Sequence, residues 1–404
     1  MAVELGLTKT TVFAKQSGLG VLATTGGQVT RRTSSVFDKT SQTYENNEIV
    51  SHQQSTGATE GVRQTSGKLD GLLSPGTYSL QFGSLLRQNF ASVSAITGAS
   101  ITIAGSGPTF TLTRATGSFL TDGIKIGHVF KLTAGSFNAA NLGVNLLVIG
   151  VTATVLTVIT LNGSTLVAEG PISAATLTVP GKVSFAPPTG QTNDYWSVEE
   201  FYTVNGKSEL FGDVKISKAA ISLPATGNST VSFDCPGLSR NEATSQQITS
   251  PTAATTTNVL TAVNGRVLVN GAVTPITGGT LTIDGQIQPG QPEVGSNQIS
   301  DHVRGSIKVS GQITAKFTTT TLRDLRNNQT VVSLILGVTD TNSAAADFIV
   351  FTMPAVKLFT DTPDDGDAKE IIRTYNFTAQ YNGTGGAGAA TNQTICQMQD
   401  SQAS

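Results

Sequence analysis

Few residues of this chain have the types and the spacing that chemistry requires. Its three histidines, His52, His128 and His302, are scattered, and none lies at a spacing that would let it share a metal ion with another ligand. The two cysteines, Cys235 and Cys396, are 161 residues apart. This spacing indicates buried or free thiols rather than a disulfide framework or a paired metal site.

Segment 361–367 has a superficial likeness to a calcium-binding loop. Acidic residues fill its first and fifth places and a glycine fills its sixth, but Pro363 fills the third place, which should supply an oxygen. Ile372 stands at the twelfth place, where glutamate is needed, so a hairpin turn explains the segment better. Neither a phosphate-binding loop nor a nucleophile elbow occurs. The sequence therefore predicts no catalytic residue, no cofactor site and no metal site, and it does not predict an enzyme.

The sequence contains an internal duplication. Segment 62–71, which leads to Arg87, is similar to segment 303–313, which leads to Arg326. Each is followed by a strand, a turn and a strand, over 214–223 and 230–235 in the first repeat and over 351–359 and 371–379 in the second. Self-similarity over so long a period indicates an array of equivalent units. The alternative is two unrelated β-domains that share Gly, Ser and Thr by composition.

The first repeat carries an insertion. Arg87 and Ile216 are 129 positions apart, whereas Arg326 and Met353 are 27 apart, so the first repeat holds 102 extra residues. Residues 92–188 have short strand patterns over 100–103, 109–113 and 154–159 and predict a small inserted β-domain. We expect a first domain over 1–91 and 189–240, a linker over 241–258, a second domain over 259–382 and a flexible tail over 383–404.

Short runs rich in Val, Ile, Thr and Phe between turn residues predict a mainly β fold with sandwich or barrel architecture. Two short helices are expected. The first opens at Ser74 and Pro75 and places four apolar side chains on one face, Tyr78, Phe82, Leu85 and Leu86. The second, over 319–327, carries Leu322 and Leu325. Segment 33–61 is polar and predicts a long loop or a projecting hairpin, which we interpret as a contact arm.

Composition limits the possible functions. Only 13% of the 404 residues are charged, against about 25% in an ordinary soluble protein, which indicates a surface covered by neighbours. The net charge of −2 excludes a strongly basic nucleic-acid clamp, so any contact with DNA should be loose and independent of sequence. No apolar run approaches the roughly 18 residues of a membrane helix, and no signal peptide is visible, so we expect a protein made and kept in the cytoplasm.

Several motifs, taken in order, resemble the tail tube proteins of long-tailed bacteriophages. They are residues 47–51, the glycine-bearing strand through Gly67 and Gly71, and segment 74–78 leading into a helix. Segment 195–202, which leads into 212–216, adds to the resemblance, and segments 111–123 and 127–129 of the insertion are similar to an insertion in some of those proteins.

The resemblance implies that each domain is a β-sandwich flanked by a helix and that six such domains close into a ring. It also implies that the rings stack into a tube through which the genome leaves. Because this chain has two repeats, three chains would complete a ring of six domains with strict threefold and approximate sixfold symmetry. The expected partners are other copies of the chain, the tape measure, terminator and distal tail proteins, and transiently the double-stranded DNA in the channel. The expected location is the virion tail, assembled in the cytoplasm of a bacterial host.

Further expectations concern the surfaces of the tube. The arm should contact stacked rings, the channel wall should be neutral or acidic, and the inserted domain should face outward. Two other functions remain open at this point: a secreted or cell-surface adhesin or carbohydrate-binding β-repeat protein, and a capsid decoration protein.

Overall fold

The computed structural model of the chain describes residues 3–52, 54–364, 366 and 370–403. Strands account for 48% of the chain and helices for 4%, so the predicted mainly β fold is confirmed. The elements before the insertion are β1 (Lys9–Lys15), β2 (Gln28–Val29), β3 (Ser34–Glu45), β4 (Ala58–Leu72) and α1 (Ser79–Leu86). The insertion contains β5 (Ile96–Ala104), β6 (Thr109–Arg114), β7 (Val129–Ala134), β8 (Leu146–Val151), β9 (Val155–Thr160) and β10 (Glu169–Thr178).

The first repeat then resumes and the second follows. Strands up to the end of the first repeat are β11 (Lys182–Phe185), β12 (Trp196–Tyr202), β13 (Lys207–Val214), β14 (Lys218–Pro224), β15 (Thr230–Asp234) and β16 (Ser239–Ala243). The remaining elements are β17 (Thr261–Val269), β18 (Ala272–Val273), β19 (Ile276–Asp284), β20 (Ile287–Pro289), β21 (His302–Arg304), β22 (Lys308–Lys316), α2 (Thr321–Asn327), β23 (Val332–Thr339), β24 (Phe348–Leu358), β25 (Thr362–Asp364), β26 (Ile372–Ala379) and β27 (Gln397–Asp400).

Six strands of each repeat pair in the same way. In the first repeat β1 pairs with β12 and β12 with β13, while β3 pairs with β4 and β4 with β15. In the second repeat the corresponding antiparallel pairs are β17 with β23, β23 with β24, β19 with β22 and β22 with β26. The helix follows the same strand in both repeats, after β4 and after β22. The two repeats therefore share a strand-pairing scheme as well as a sequence pattern.

Matching irregularities align the repeats residue by residue. The β12–β13 and β23–β24 pairs each carry a bulge directly after their first residue pair, which sets Val214 opposite the start of β12 and Val356 opposite the start of β23. Lys215 and Lys357 follow these two valines and are therefore equivalent. The sequence-based alignment had set Ile216 against Met353, but the bulges set it against Leu358.

Two glycines mark equivalent places in β4 and β22. Gly67 lies opposite Cys235 through paired backbone hydrogen bonds, and Gly311 lies opposite Phe377. A Cβ at either glycine would overlap a phenylalanine ring that covers the backbone, so neither place accepts a larger residue. This equivalence shows that the sequence alignment of 62–71 with 303–313 was three residues out of register.

Each repeat is a two-layered sandwich, and the two share one core. The inner faces of both layers of both repeats contribute to a single hydrophobic cluster. The second layers of the two repeats join edge to edge through β14 and β19, which gives the continuous strand order β3-β4-β15-β14-β19-β22-β26. These seven strands are part of a 14-stranded sheet that continues from β26 into β24, β23, β17 and β18. We call this part the seven-stranded sheet.

The insertion folds as a closed six-stranded barrel with the order β10-β5-β6-β9-β8-β7 and a separate core. Although it is spliced into the first repeat, its outer face packs on the second. Leu147 and Ile159 of the barrel cluster with Leu268, Ile335 and Phe348 on the outer face of β17, β23 and β24.

The C-terminal segment was expected to be a flexible tail, and that expectation is wrong. Strand β27 is buried over its whole length and lies between β11 and β24. The side chain of Gln399 accepts a hydrogen bond from the N–H of Val129 at 2.7 Å and donates one to its carbonyl at 2.9 Å. The tail therefore ties the barrel to the second repeat.

The two helices differ from their predicted starts. Helix α1 begins at Ser79 rather than at Ser74, because Gly76 adopts a left-handed conformation (φ 73°) that interrupts a helix. Its four predicted apolar side chains are nevertheless buried. Helix α2 begins at Thr321, two residues after the predicted start, and all its residues are partly or fully exposed.

Candidate functional site: a polar sheet face and the junction of the repeats

The solvent-facing side of the seven-stranded sheet carries small polar residues. Ser232, Ala220, Thr282, Ser310 and Thr378 lie in one row across neighbouring strands, in line with Asp70 of β4, and all of these except Ala220 are polar. Hydroxyl and carboxylate groups in this row face away from the core, and the aliphatic and aromatic residues of the same strands face into it. The face has no apolar stripe that a protein core could cover.

A row of alternating charge crosses the same face. Consecutive strand registers place five side chains next to one another in the order Lys68, Asp234, Lys218, Asp284 and Lys308. Side chains directly opposite each other on neighbouring antiparallel strands are about 5 Å apart at Cβ, so each aspartate stands between two lysines, although the ammonium group of Lys68 pairs with Asp70 at 3.5 Å. The row combines high local polarity with a net charge near zero.

The junction of the repeats is held at the C-terminal end of α1. Arg87 donates to the carbonyls of Gly285 at 2.8 Å and Gly305 at 2.7 Å, and also to Gln191. Gly285 and Gly305 stand where the hairpin β20–β21 of the second repeat bends away from β19 and β22. Arg87 therefore clamps both strands of that bend. Burial lowers the pKa of Arg87, and the nearby charge of Arg304 adds to the decrease.

A buried lysine makes the second contact of the junction. Lys215 lies 3.1 Å from Asp301, donates to the carbonyl of His302 at 3.0 Å and sits over the ring of Tyr195. Burial lowers the pKa of Lys215, although Asp301 opposes the change. Burial also raises the pKa of Tyr195 to about 12, with a further increase from its 2.6 Å hydrogen bond to Asp301. The cation therefore binds the hairpin to the first repeat.

The two strands of the β14–β19 junction have equivalents, β25 and β3, that lack a partner on one side within the described residues. Within the described residues, β3 pairs only with β4, whereas its equivalent β19 pairs on both sides, with β22 and β14. At the other end, β25 continues the β24 strand along β26 and occupies the place that β14 has in the first repeat. Over the described residues β25 pairs only with β26, whereas β14 pairs with both β15 and β19.

The chemistry-bearing residues singled out in the sequence do not converge. His52 is exposed, and burial lowers the pKa of His128 to about 3 and of His302 to about 4. Cys235 and Cys396 are both buried and free.

The calcium-like segment is only partly covered by the structure. Its first residue, Asp361, forms an ion pair with Arg373 at 2.6 Å, and β25 and β26 form an antiparallel pair, as the favoured hairpin interpretation expects. Residues 365 and 367 lie outside the described residues. In the described part of the chain no three potential metal ligands come together.

Sequence reasoning missed Arg87 and Lys215 as residues that join the two repeats. Arg87 served only as a landmark of the repeat, and its partners are backbone carbonyls, which leave no residue-type signal. The recurrence of a Val-Lys pair in both repeats, at Lys215 and Lys357, was a signal that could have been found.

Comparison with known proteins agrees with this architecture. A family described as phage tail tube protein matches residues 6–379, nearly the whole chain. Among curated proteins nothing matches. Within the described residues, no helix combines the length and apolar character needed to cross a membrane. Because the match covers both repeats and the insertion, the chain belongs to the phage tail tube protein family.

Proposed function

We propose that three copies of this chain close into a ring, and that rings stack into the tail tube through which the phage genome passes. The observation that supports this proposal is the β14–β19 junction, in which the first repeat pairs with the second. The equivalents of these two strands, β25 and β3, each have an edge that pairs with no other strand of the described residues, so they could form the same contact between two chains. A head-to-tail contact of this kind produces a closed ring when its rotation closes. With two units per chain, three chains supply six.

The internal contact also specifies the contact between chains. Lys218 of β14 lies opposite Asp284 of β19. When the equivalences between the repeats are applied to the unpaired strands, Thr362 of β25 comes to lie opposite Asp38 of the next chain. Pairing β3 in this way removes the longest unpaired strand edge of the chain, which would otherwise invite indiscriminate aggregation.

The polar face of the seven-stranded sheet is the proposed channel wall. Its alternating charges and hydroxyl groups offer few cations to neutralise phosphates, so double-stranded DNA would pass without tight binding. The barrel would then lie on the outside of the tube, since it packs on the opposite layer of the second repeat. A lumen dominated by lysine and arginine, or a barrel that fills it, would contradict this arrangement.

The arm of the first repeat is the proposed contact between stacked rings. Strands β3 and β4 form an exposed hairpin, one of the two alternatives that the sequence predicted, and residues 46–52 and 54–57 stand at its tip. Deletion of residues 40–56 should leave a folded protein that no longer polymerises. Normal tube formation by that variant would refute the role of the arm.

The division of the chain follows from the same proposal. Each repeat would form one wall domain, joined by residues 241–258, and the barrel would be an outward-facing addition to the first. Assembly would take place in the bacterial host with the tape measure, terminator and distal tail proteins, and the product would be the virion tail.

Cross-linking tests the ring directly. The variant with Asp38→Cys and Thr362→Cys should form disulfide-linked chains that stop at a trimer, because residues directly opposite on antiparallel strands have Cβ atoms about 5 Å apart. The two native cysteines are buried and should not compete. The matched control, Tyr44→Cys with Thr362→Cys, separates the thiols by about 20 Å along the strand and should remain monomeric on denaturing gels. Products larger than trimers, or a tube section with six chains per ring, would overturn the trimer.

A further inference from the structure

The cationic clamp that holds the hairpin β20–β21 has a second copy at the far end of the chain. In the first repeat the clamp consists of Arg87 and Lys215. The equivalent lysine of the second repeat is Lys357, which is half-buried. Within the described residues the side chain of Lys357 forms neither an ion pair nor a hydrogen bond, in contrast to that of Lys215.

Arg87 also has a counterpart in the second repeat, Arg326. Gly285, at the bend of the hairpin, donates its N–H to the carbonyl of Ser217 at 2.7 Å. The equivalent carbonyl in the second repeat is that of Phe359, and it accepts a 2.7 Å hydrogen bond from Nε of Arg326 instead. Arg326, near the end of α2, therefore occupies the place at which the hairpin of a second copy of the chain would contact the second repeat. Arg87, at the end of α1, occupies the equivalent place in the first repeat.

A complementary partner is present in the first repeat. The hairpin β3–β4 is equivalent to the hairpin β20–β21, and each encloses a loop of the same length, 46–57 and 290–301. Between Thr40 and Val62 it carries three carboxylates, Glu45, Glu48 and Glu60, of which Glu60 is already paired with Arg63 at 2.6 Å. The hairpin is exposed along most of its length. The carboxylates of this hairpin are complementary in charge to Arg326 and to Lys357, whose ammonium group has no carboxylate partner within the described residues.

We propose that Arg326 and Lys357 bind the stem of the β3–β4 hairpin, residues 41–45 and 58–61, of a second copy of this chain. This proposal rests on the proposed ring. The contact determines which end of one chain binds the next chain in that ring. By equivalence with Gly285 and Gly305, Arg326 donates to the carbonyls of Ser41 and Gly61. Lys357 donates to the carbonyl of Ala58, the counterpart of His302, and Glu45 lies beside it because Glu45 is paired with Ala58.

The apolar part of the internal junction is not repeated. Ile299 of the second repeat is buried against Val62 and Leu238 of the first. The equivalents of Val62 and Leu238 are Ser306 and Gln380, so the second clamp lacks this apolar contact. The contact between copies should consequently depend on charge and weaken with salt more than the internal junction does.

Two tests follow, and the first uses cross-linking between separate chains. Chains with Glu45→Cys are mixed with chains with Lys357→Cys and treated with a short bismaleimide. We expect mixed dimers, and none in samples that contain only one of the two variants. Absence of the mixed dimer would overturn the proposal, whether or not the wild-type chain forms tubes.

The second test is charge reversal. Lys357→Glu with Arg326→Glu should lower the equilibrium constant for ring formation, measured by sedimentation, by roughly tenfold or more, and adding Glu45→Lys should restore part of it. Arg323→Glu on the exposed part of α2 is the matched control and should assemble normally. If the wild-type chain forms trimers and the reversed chain forms them equally well, the clamp is wrong and the ring stands. If the wild-type chain forms no trimers although the mixed dimer appears, the ring is wrong and the clamp stands.

Discussion

The two repeats share a pairing scheme and differ in what covers them. Helix α1 is buried between the repeats, where Phe82 contacts Phe233 of the first and Phe351 of the second with ring centroids 5.1 and 5.7 Å apart. Helix α2 is exposed, and none of its residues is buried. The outer sheet layer of the first repeat is covered by short segments of its own chain, and that of the second by the barrel. The difference shows which surfaces the chain satisfies internally and which it leaves for a neighbour.

The largest expected contrast is between the two helices. Phe82→Ala should lower the free energy of unfolding by about 3–5 kcal/mol, because it leaves a cavity in a core shared by both repeats. Leu325→Ala in α2 should cost the unassembled chain about 1 kcal/mol, since that side chain is only partly buried. Guanidinium unfolding of the soluble protein measures both. Equal losses would mean that α2 is as well covered as α1 within one chain.

The second contrast is between the two arginines. Arg87→Ala should destabilise the isolated chain by about 2–3 kcal/mol, because the carbonyls of Gly285 and Gly305 lose a charged donor. Arg326→Ala should change the stability of the isolated chain by less than about 0.5 kcal/mol and should weaken assembly instead. Thermal unfolding and sedimentation of each variant separate the two effects. A stability loss at Arg326 equal to that at Arg87 would show that both arginines act within the chain.

The third test uses pH, at a contact that has no counterpart in the first repeat. Asp400 of β27 accepts hydrogen bonds from the N–H groups of Gly76 and Gln402, and burial raises its pKa to about 6. An unfolded aspartate titrates near 3.9, so the folded protein binds more protons between about pH 4 and 6. The stabilisation from this group is present below about pH 4 and is lost as the pH rises through 6.

The loss should amount to about 3 kcal/mol across that range. Unfolding of the wild-type chain and of Asp400→Asn at a series of pH values measures it, because the variant lacks this titration. Parallel stability profiles for the two proteins would exclude Asp400 as the titrating group.

The sequence predicted the order of elements well and the contacts poorly. The strand over 230–234 lies where the alternation of side chains placed it, because half-buried strands have a period of two, and the strands predicted over 109–113 and 154–159 agree with β6 and β9 to within one residue. Helix α1 starts late because Ser74 binds Thr77 rather than capping, and Gly76 turns the chain the other way. Propensity rules treat Ser and Pro as helix starts, but they do not predict that Gly76, between these residues and the helix, adopts a left-handed conformation.

The C-terminal strand and the junction show where sequence information ends. Residues 397–400 include two glutamines and an aspartate, and polarity of that kind is typical of a mobile tail. Their side chains are buried because backbone groups of other segments, such as those of Val129 and Gly76, supply partners. Arg87 likewise binds carbonyls. Contacts between a side chain and a distant backbone have no sequence signature in either partner, so only the fold could reveal them.

The smallest expected effect concerns the row of charges that runs across both repeats. Asp234 lies between Lys68 and Lys218 in the first repeat, and Asp284 lies between Lys218 and Lys308 where the repeats meet. Asp234→Asn should cost about 0.2–1 kcal/mol at low salt, which is usual for opposite charges on neighbouring strands, and less at high salt.

Asp284→Asn tests whether the junction adds anything to that value. Asp284 also accepts hydrogen bonds from the backbone and side chain of Gln286 at the bend of the hairpin, at 2.7 and 2.6 Å. Asparagine keeps the first of these but places a donor opposite the second. The loss at Asp284 should therefore exceed that at Asp234, and the excess should persist in salt that abolishes the loss at Asp234. If salt erases both losses equally, the row is a feature of the exposed face alone and adds nothing to the junction of the two repeats.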